Sequence, residues 1–158
     1  MFKSIAKFTT TGIIMLGLAA CGSSAPSTPT ATPKPAAVPI TIEIASKGEE
    51  LAFTQTQLEV NANARITLKF SNSSAAQQHN WVLVQPGQAD SVATDGIGAG
   101  EANNYVVNGD TRVIASTKLA KPKETVEVVF DAPTPGSYPF ICTFPGHATV
   151  MRGILIVK

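Results

Sequence analysis

The 158-residue chain carries 12 Lys+Arg against 11 Asp+Glu, a formal charge of +1, with 44% hydrophobic residues, two Cys and two His. Nucleic acid calls for a clustered basic surface, and so even a balance supplies none. Two cysteines leave room for at most one disulfide.

The first 20 residues read as a leader. Lys3 and Lys7 supply the positive start, Ile13 to Ala20 a short apolar core, and small residues precede Cys21. That apolar run is less than half the ~20 residues a membrane-spanning helix needs. Leu18-Ala19-Ala20-Cys21 resembles the lipobox of bacterial lipoproteins, where cleavage leaves the Cys as a lipid-carrying N-terminus. An ordinary cleavable signal is the alternative, since the same small residues would serve it. The expectation is a lipidated Cys21 and a mature protein anchored to the cell membrane on its extracytoplasmic, periplasmic side. Loss of Lys3 and Lys7 takes the 12 basic residues to 10 against 11 acidic, and the formal charge from +1 to −1.

Residues 21–39 form the next unit, a lipidated Cys followed by a tether. Fifteen of the 18 positions from 22 to 39 are Pro, Ser, Thr or Ala, five of them Pro, too little apolar surface to order the segment. At about 3.1 Å per residue in a polyproline conformation, 18 residues reach at most roughly 55 Å.

From residue 40 onward the period is that of strands. Ile40, Ile42 and Ile44 alternate with Thr41 and Glu43, Ile66, Leu68 and Phe70 with Thr67 and Lys69, and Val126, Val128 and Phe130 with Glu127 and Val129. Further strands are predicted over Thr54–Val60, His79–Val84, Val113–Leu119, Gly136–Cys142 and Arg152–Val157. Pro86-Gly87, Asn108-Gly109, Lys121-Pro122 and Pro135-Gly136 supply turns between them. Seven or eight short strands in residues 40–158 predict one all-β sandwich with a single core. Gln88 to Asp110, rich in Gly, Ala, Asn and Asp, is the one long interruption, expected to be a flap with room for a short helix.

The last loop holds Cys142-Thr143-Phe144-Pro145-Gly146-His147-Ala148-Thr149-Val150-Met151, and the other histidine is His79. Singly, each of these residues is ordinary: a buried Cys packs as a small hydrophobe and Met fills gaps. Together, one thiolate, two imidazoles and one thioether make the ligand set of a trigonal copper site with a weak axial Met, built for single-electron transfer. A disulfide would have to join Cys21 to Cys142 and consume that ligand, so none is expected.

His79-Asn80-Trp81-Val82-Leu83, Thr111 to Leu119, Phe140 to His147 and Met151-Arg152-Gly153 together resemble the azurin branch of the cupredoxins. The Cys-to-His spacing is longer than in plastocyanin-like proteins. The lipobox, the tether and the lack of a cysteine for the azurin disulfide narrow the resemblance to the auracyanins, azurin-like electron carriers. It implies a cupredoxin-type Greek-key sandwich and one type 1 copper ion, with His79, Cys142 and His147 as strong ligands and Met151 as the axial one. It also implies that Asn80 pairs with Thr143, while the backbone N–H groups of Asn80 and Phe144 point at the Cys142 sulfur. One departure stands out: azurins have Gly before the first ligand His, and here Gln78 takes its place, so no fifth ligand is assigned. Trp81 is expected to fill the core rather than relay electrons.

The implied function is that of a membrane-tethered electron carrier and not of an enzyme. Its partners would be redox proteins such as a cytochrome or a membrane electron-transfer complex, and it would act as a monomer, docking through Phe144, Pro145 and Gly146. A hydrolytic zinc or copper site would want a general base, and the ligand loop has no Asp or Glu. Oxidase chemistry would need more histidines. A Cys142–His147 nucleophile pair would leave His79 and Met151 unexplained. The alternative is a protein for copper delivery or storage, against which stand the lack of Met-rich or His-rich tracts and a closed sandwich slow to release its ion.

Overall fold

A computed structural model of the chain describes residues 37–158. The expected leader, Cys21 and the tether up to residue 36 lie outside the described residues.

Among the described residues nine strands form two sheets: β1 Val38–Lys47, β2 Glu50–Phe53, β3 Gln57–Val60, β4 Ala64–Ser71, β5 Val82–Val84, β6 Val113–Ser116, β7 Thr125–Asp131, β8 Gly136–Ile141 and β9 Arg152–Val157. One sheet has the order β2-β1-β4-β7, the other β3-β9-β8-β5-β6, and the chain crosses between them repeatedly. The three alternating segments lie side by side in register. Ile40, Ile42 and Ile44 oppose Ile66, Leu68 and Phe70 in a parallel pair, and these oppose Phe130, Val128 and Val126 in an antiparallel one. This block faces Leu58, Leu83, Phe140 and Leu155 of the second sheet in one core. Phe53 packs edge-on against Phe70 and Phe140, with ring centroids at 5.8 and 5.3 Å.

Register also fixes the poles of the sandwich. β1 starts at Val38 beside Ala64 and ends near Ser71, and His79 follows β4 at that second pole. β8 likewise runs from Gly136, beside Val157, to Ile141, beside Arg152, just before Cys142.

The structure differs from the sequence expectation in several places, the first being that β1 starts at Val38, so Val38 and Pro39, expected in the tether, already pair with Ala64 and Arg65. β2 has no alternating pattern to announce it, and the strand expected over Thr54–Val60 starts only at Gln57. His79 joins the second sheet through a single bridge to Ala120, with regular pairing starting at Val82. Between them the Thr117 hydroxyl accepts the Trp81 N–H at 3.0 Å, a side chain standing in for a ladder rung. The strand expected to reach Leu119 stops at Ser116, because the Leu119 N–H goes to the Asn104 side chain at 2.8 Å instead.

The flap holds a helix, α1 Ala89–Ala99, followed by a 3-10 turn at Glu101–Asn103. Ala89, Val92, Ala93 and Gly96 recur at i, i+3, i+4 and i+7, a narrow apolar stripe. That stripe covers the outer face of β5 and β8, where Val82, Val84 and Ile141 form a second small core with Ala89 and Val92. Both faces of β5 are therefore buried, which accounts for its unbroken Val-Leu-Val.

Candidate metal centre

His79 and the loop after β8 meet at one pole of the sandwich. The His79 backbone is held on both sides by Ala120, donating N–H to its carbonyl at 3.2 Å and accepting its N–H at 2.8 Å. Behind it, the buried Asn72 amide donates to the carbonyls of Gln77, Ala120 and Lys121 at 2.8, 3.0 and 3.1 Å. The Gln77 carbonyl is thus already engaged, and Gln78 is half-buried.

The loop is wound by its own backbone. His147 N–H donates to Phe144 at 3.0 Å, Met151 N–H to His147 at 2.8 Å, and Cys142 N–H to Met151 at 3.0 Å. Gly146 turns the chain at φ 85°, a conformation that suits a residue without Cβ.

This folding brings His79, Cys142 and His147 into one buried cluster. The Cys142 Sγ lies 3.8 Å from His79 Nδ1 and 3.7 Å from His147 Nδ1, and the two Nδ1 atoms are 3.2 Å apart. The centre of that triangle is about 2 Å from every corner, close to first-row metal bonds to imidazole nitrogen and thiolate sulfur. Hence the donor set fits one transition-metal ion. Among the described residues no carboxylate joins the cluster. Met151, fully buried, packs in the same core as Cys142.

Burial sets the protonation of these groups. It pushes the His79 imidazole down to about 4, helped by the neighbouring His147 and opposed by Glu49. It lowers His147 as well. Both rings are therefore neutral near pH 7 and present lone pairs. Burial raises the Cys142 thiol to about 11, against the pull of hydrogen bonds from the Asn80 and Phe144 backbones.

The Asn80 side chain joins the two segments. Its Oδ1 accepts the Thr143 N–H at 2.8 Å, and its Nδ2 donates to the Thr143 hydroxyl at 2.8 Å. A third bond, from Nδ2 to the Asn104 carbonyl at 2.8 Å, had no announcement in the sequence. Asn72 and Asn104 look like ordinary loop residues there, and only the tolerance of Asn for turn conformations hinted at a role. Trp81 lies fully buried between Phe130 and Phe140, with ring centroids at 5.9 and 5.6 Å, in the core as expected.

Residues 40–158 match the copper binding proteins of the plastocyanin/azurin family. Auracyanin-A of Chloroflexus aurantiacus is 48% identical over 143 residues, covering 89% of this chain and 88% of that one. An azurin of Pseudomonas fluorescens biotype C is 36% identical over 118 residues, 70% of this chain and 92% of the other. The solved structure of auracyanin A, a "blue" copper protein from Chloroflexus aurantiacus, superposes with a TM-score of 0.73 at 51% identity, covering 76% of this chain and 99% of that one.

Proposed function

The chain belongs to the plastocyanin/azurin family of copper-binding proteins, and from that premise we propose that it is a blue copper electron carrier whose ligands are His79, Cys142, His147 and Met151. The observation that carries this reading is the buried triangle of one sulfur and two Nδ1 atoms with edges of 3.2–3.8 Å. Bound copper supplies a one-electron Cu(II)/Cu(I) couple.

The protein's part is to hold the donors still. Thiolate and thioether suit the reduced ion and imidazole suits both states, so a site fixed between their preferences rearranges little when an electron moves. The bonds from Asn80 and Phe144 to the sulfur favour the electron-rich reduced state and raise the potential. Relative exposures of 0–1% for His79, Cys142 and Met151 keep water from adding a ligand.

His147, 6% exposed, is the ligand nearest the surface. Beside it, Phe144 and Pro145 line a groove of about 280 Å³ with Ala93 and Ile97 of α1. The charged pair at its rim, Arg152 and Asp90, is mutually bonded at 2.8 Å. These features support docking of a redox protein, such as a cytochrome or a membrane electron-transfer complex, through apolar contact with little charge steering. The protein works as a monomer and carries electrons rather than catalysing a reaction. Cys21 and the tether support an extracytoplasmic protein lipid-anchored to the cell membrane.

The deciding experiment is an absorption and paramagnetic resonance spectrum of the copper-loaded protein. An intense blue colour with narrow copper hyperfine splitting is expected; a tetragonal copper spectrum would refute the type 1 site.

A further inference from the structure

Asn104 and Tyr105, consecutive in the flap, both take left-handed backbone, at φ 56° and 54°. Asn tolerates this conformation, but a bulky aromatic residue seldom adopts it. Such backbone persists where its surroundings over-determine it. Here the Asn104 N–H donates to Glu101 at 2.8 Å and the Tyr105 N–H to Gly100 at 3.0 Å, while the Asn104 Oδ1 accepts from Leu119. Gly96 of α1 completes the seat: a Cβ there would fall 2.2 Å from the Tyr105 carbonyl oxygen.

Two groups reach the metal centre from this turn. The Asn104 carbonyl takes the Asn80 Nδ2–H that Thr143 does not use, so every hydrogen-bonding atom of the Asn80 amide is committed. The Tyr105 ring packs edge-on against Phe144, with centroids at 5.3 Å and planes at 72°, and Phe144 in turn packs on the His147 ring at 4.7 Å.

We propose that the Asn104–Tyr105 pair is a positioning element for the metal centre: the Asn104 carbonyl holds Asn80 against Thr143, and the Tyr105 ring holds Phe144 against His147. Neither residue touches the ion, and the inference rests on the ligand assignment above. By this route the flap keeps the loop between Cys142 and His147 from relaxing when the charge on the site changes.

The test uses the full chain in three variants. Asn104→Gly accepts the left-handed backbone but loses the Oδ1 that anchors the turn to Leu119, so the carbonyl that meets Asn80 is no longer held in place. Tyr105→Ala removes the ring, and Tyr105→Phe restores it. In metal-free protein, the Thr143 amide should exchange its hydrogen about tenfold faster in Asn104→Gly, equivalent to one lost hydrogen bond, with Leu68 exchange unchanged. In copper-loaded protein, Tyr105→Ala should exchange electrons with itself several-fold more slowly and broaden the copper hyperfine pattern, and Tyr105→Phe should match the wild type. Unchanged Thr143 exchange overturns the Asn104 half, and an unaltered rate and spectrum in Tyr105→Ala overturn the Tyr105 half. Should Asn104→Gly fail to fold, Asn104→Ser, whose shorter side chain gives up the Leu119 bond, replaces it, with the same acceleration expected and an unchanged rate again fatal. A wild type without the blue spectrum would sink the ligand assignment instead, leaving the metal-free measurement to decide the positioning.

Discussion

The backbone N–H of Cys142 donates to the carbonyl of Met151 at 3.0 Å, joining the first and last residues of the ten-residue loop proposed to carry three of the four ligands. The next rung is the pairing of Ile141 with Arg152 in the β8–β9 ladder. The chain's own hydrogen bonds therefore close the loop.

Cys142→Ser keeps that backbone closure while replacing the sulfur. The variant should fold and bind copper without the intense blue band, giving a colourless or ordinary tetragonal site. An absorption spectrum checks it, and a blue Cys142→Ser protein would contradict the assignment.

Met151→Leu should stay blue, because the three strong donors remain. Removing a weak donor disfavours Cu(II) more than Cu(I), so the potential should rise, by an amount on the order of 59 mV for each tenfold change in relative affinity. Voltammetry decides, and a lowered potential would place Met151 off the metal.

Metal loading should release one proton. With His79 held down to about 4, His147 lowered by burial and Cys142 raised to about 11, both imidazoles are neutral and the thiol is protonated from neutral pH up to about 11. Displacement of the thiol proton should make the apparent copper affinity rise about tenfold per pH unit. A pH-independent affinity would mean that Cys142 is not a ligand. The metal-free protein carries a second pH signature. Unfolded, His79 takes its proton near 6.5, and folded near 4; in that window the unfolded chain binds more protons, so stability is lost as pH falls from 6.5 to 4. Thermal unfolding of the metal-free protein across that range should show a falling Tm.

The groove proposed for docking can be tested from both walls. Pro145→Glu on the loop, and Ile97→Glu on α1, where Ile97 is 56% exposed, should each slow electron exchange with a redox partner about tenfold or more, as an unpaired charge in a desolvated contact does. The blue spectrum should hardly change. Equal stopped-flow rates in both variants would put the docking site elsewhere.

Cys21→Ser should release a still-blue protein into the soluble extracytoplasmic fraction. Fractionation with mass spectrometry of the N-terminus is the measurement, and an unmodified Cys21 in freely soluble wild-type protein would defeat the lipid anchor.

Alternation made β1, β4 and β7 legible because each buries one face: Ile66, Leu68 and Phe70 point inward and Thr67 and Lys69 outward. The cluster was legible because its residues are chemically rare in the chain, two histidines and, past Cys21, one cysteine. Where side chains replace backbone pairing, the sequence is silent. Nothing in Thr117 or Asn104 says that its oxygen will take the N–H of Trp81 or Leu119 and so cut short a strand. β2 was missed because Glu50–Phe53 buries fully only its last residue. The Asn104–Tyr105 turn escaped because its conformation is imposed by tertiary contacts against the preference of Tyr105 itself.

The register of β1 carries one more consequence. Val38 begins at the pole of Ala64, and Lys158 ends at the same pole, its N–H bonded to the Val60 carbonyl at 2.9 Å. Seven residue steps of β4 separate Val38's partner from Ser71's end, roughly 23 Å at ~3.3 Å per residue. Residue 37 and Lys158 thus both lie at the pole away from His79, Cys142 and His147. A fusion partner, an electrode linker or a resin joined at residue 37 or at Lys158 would leave the proposed docking face bare.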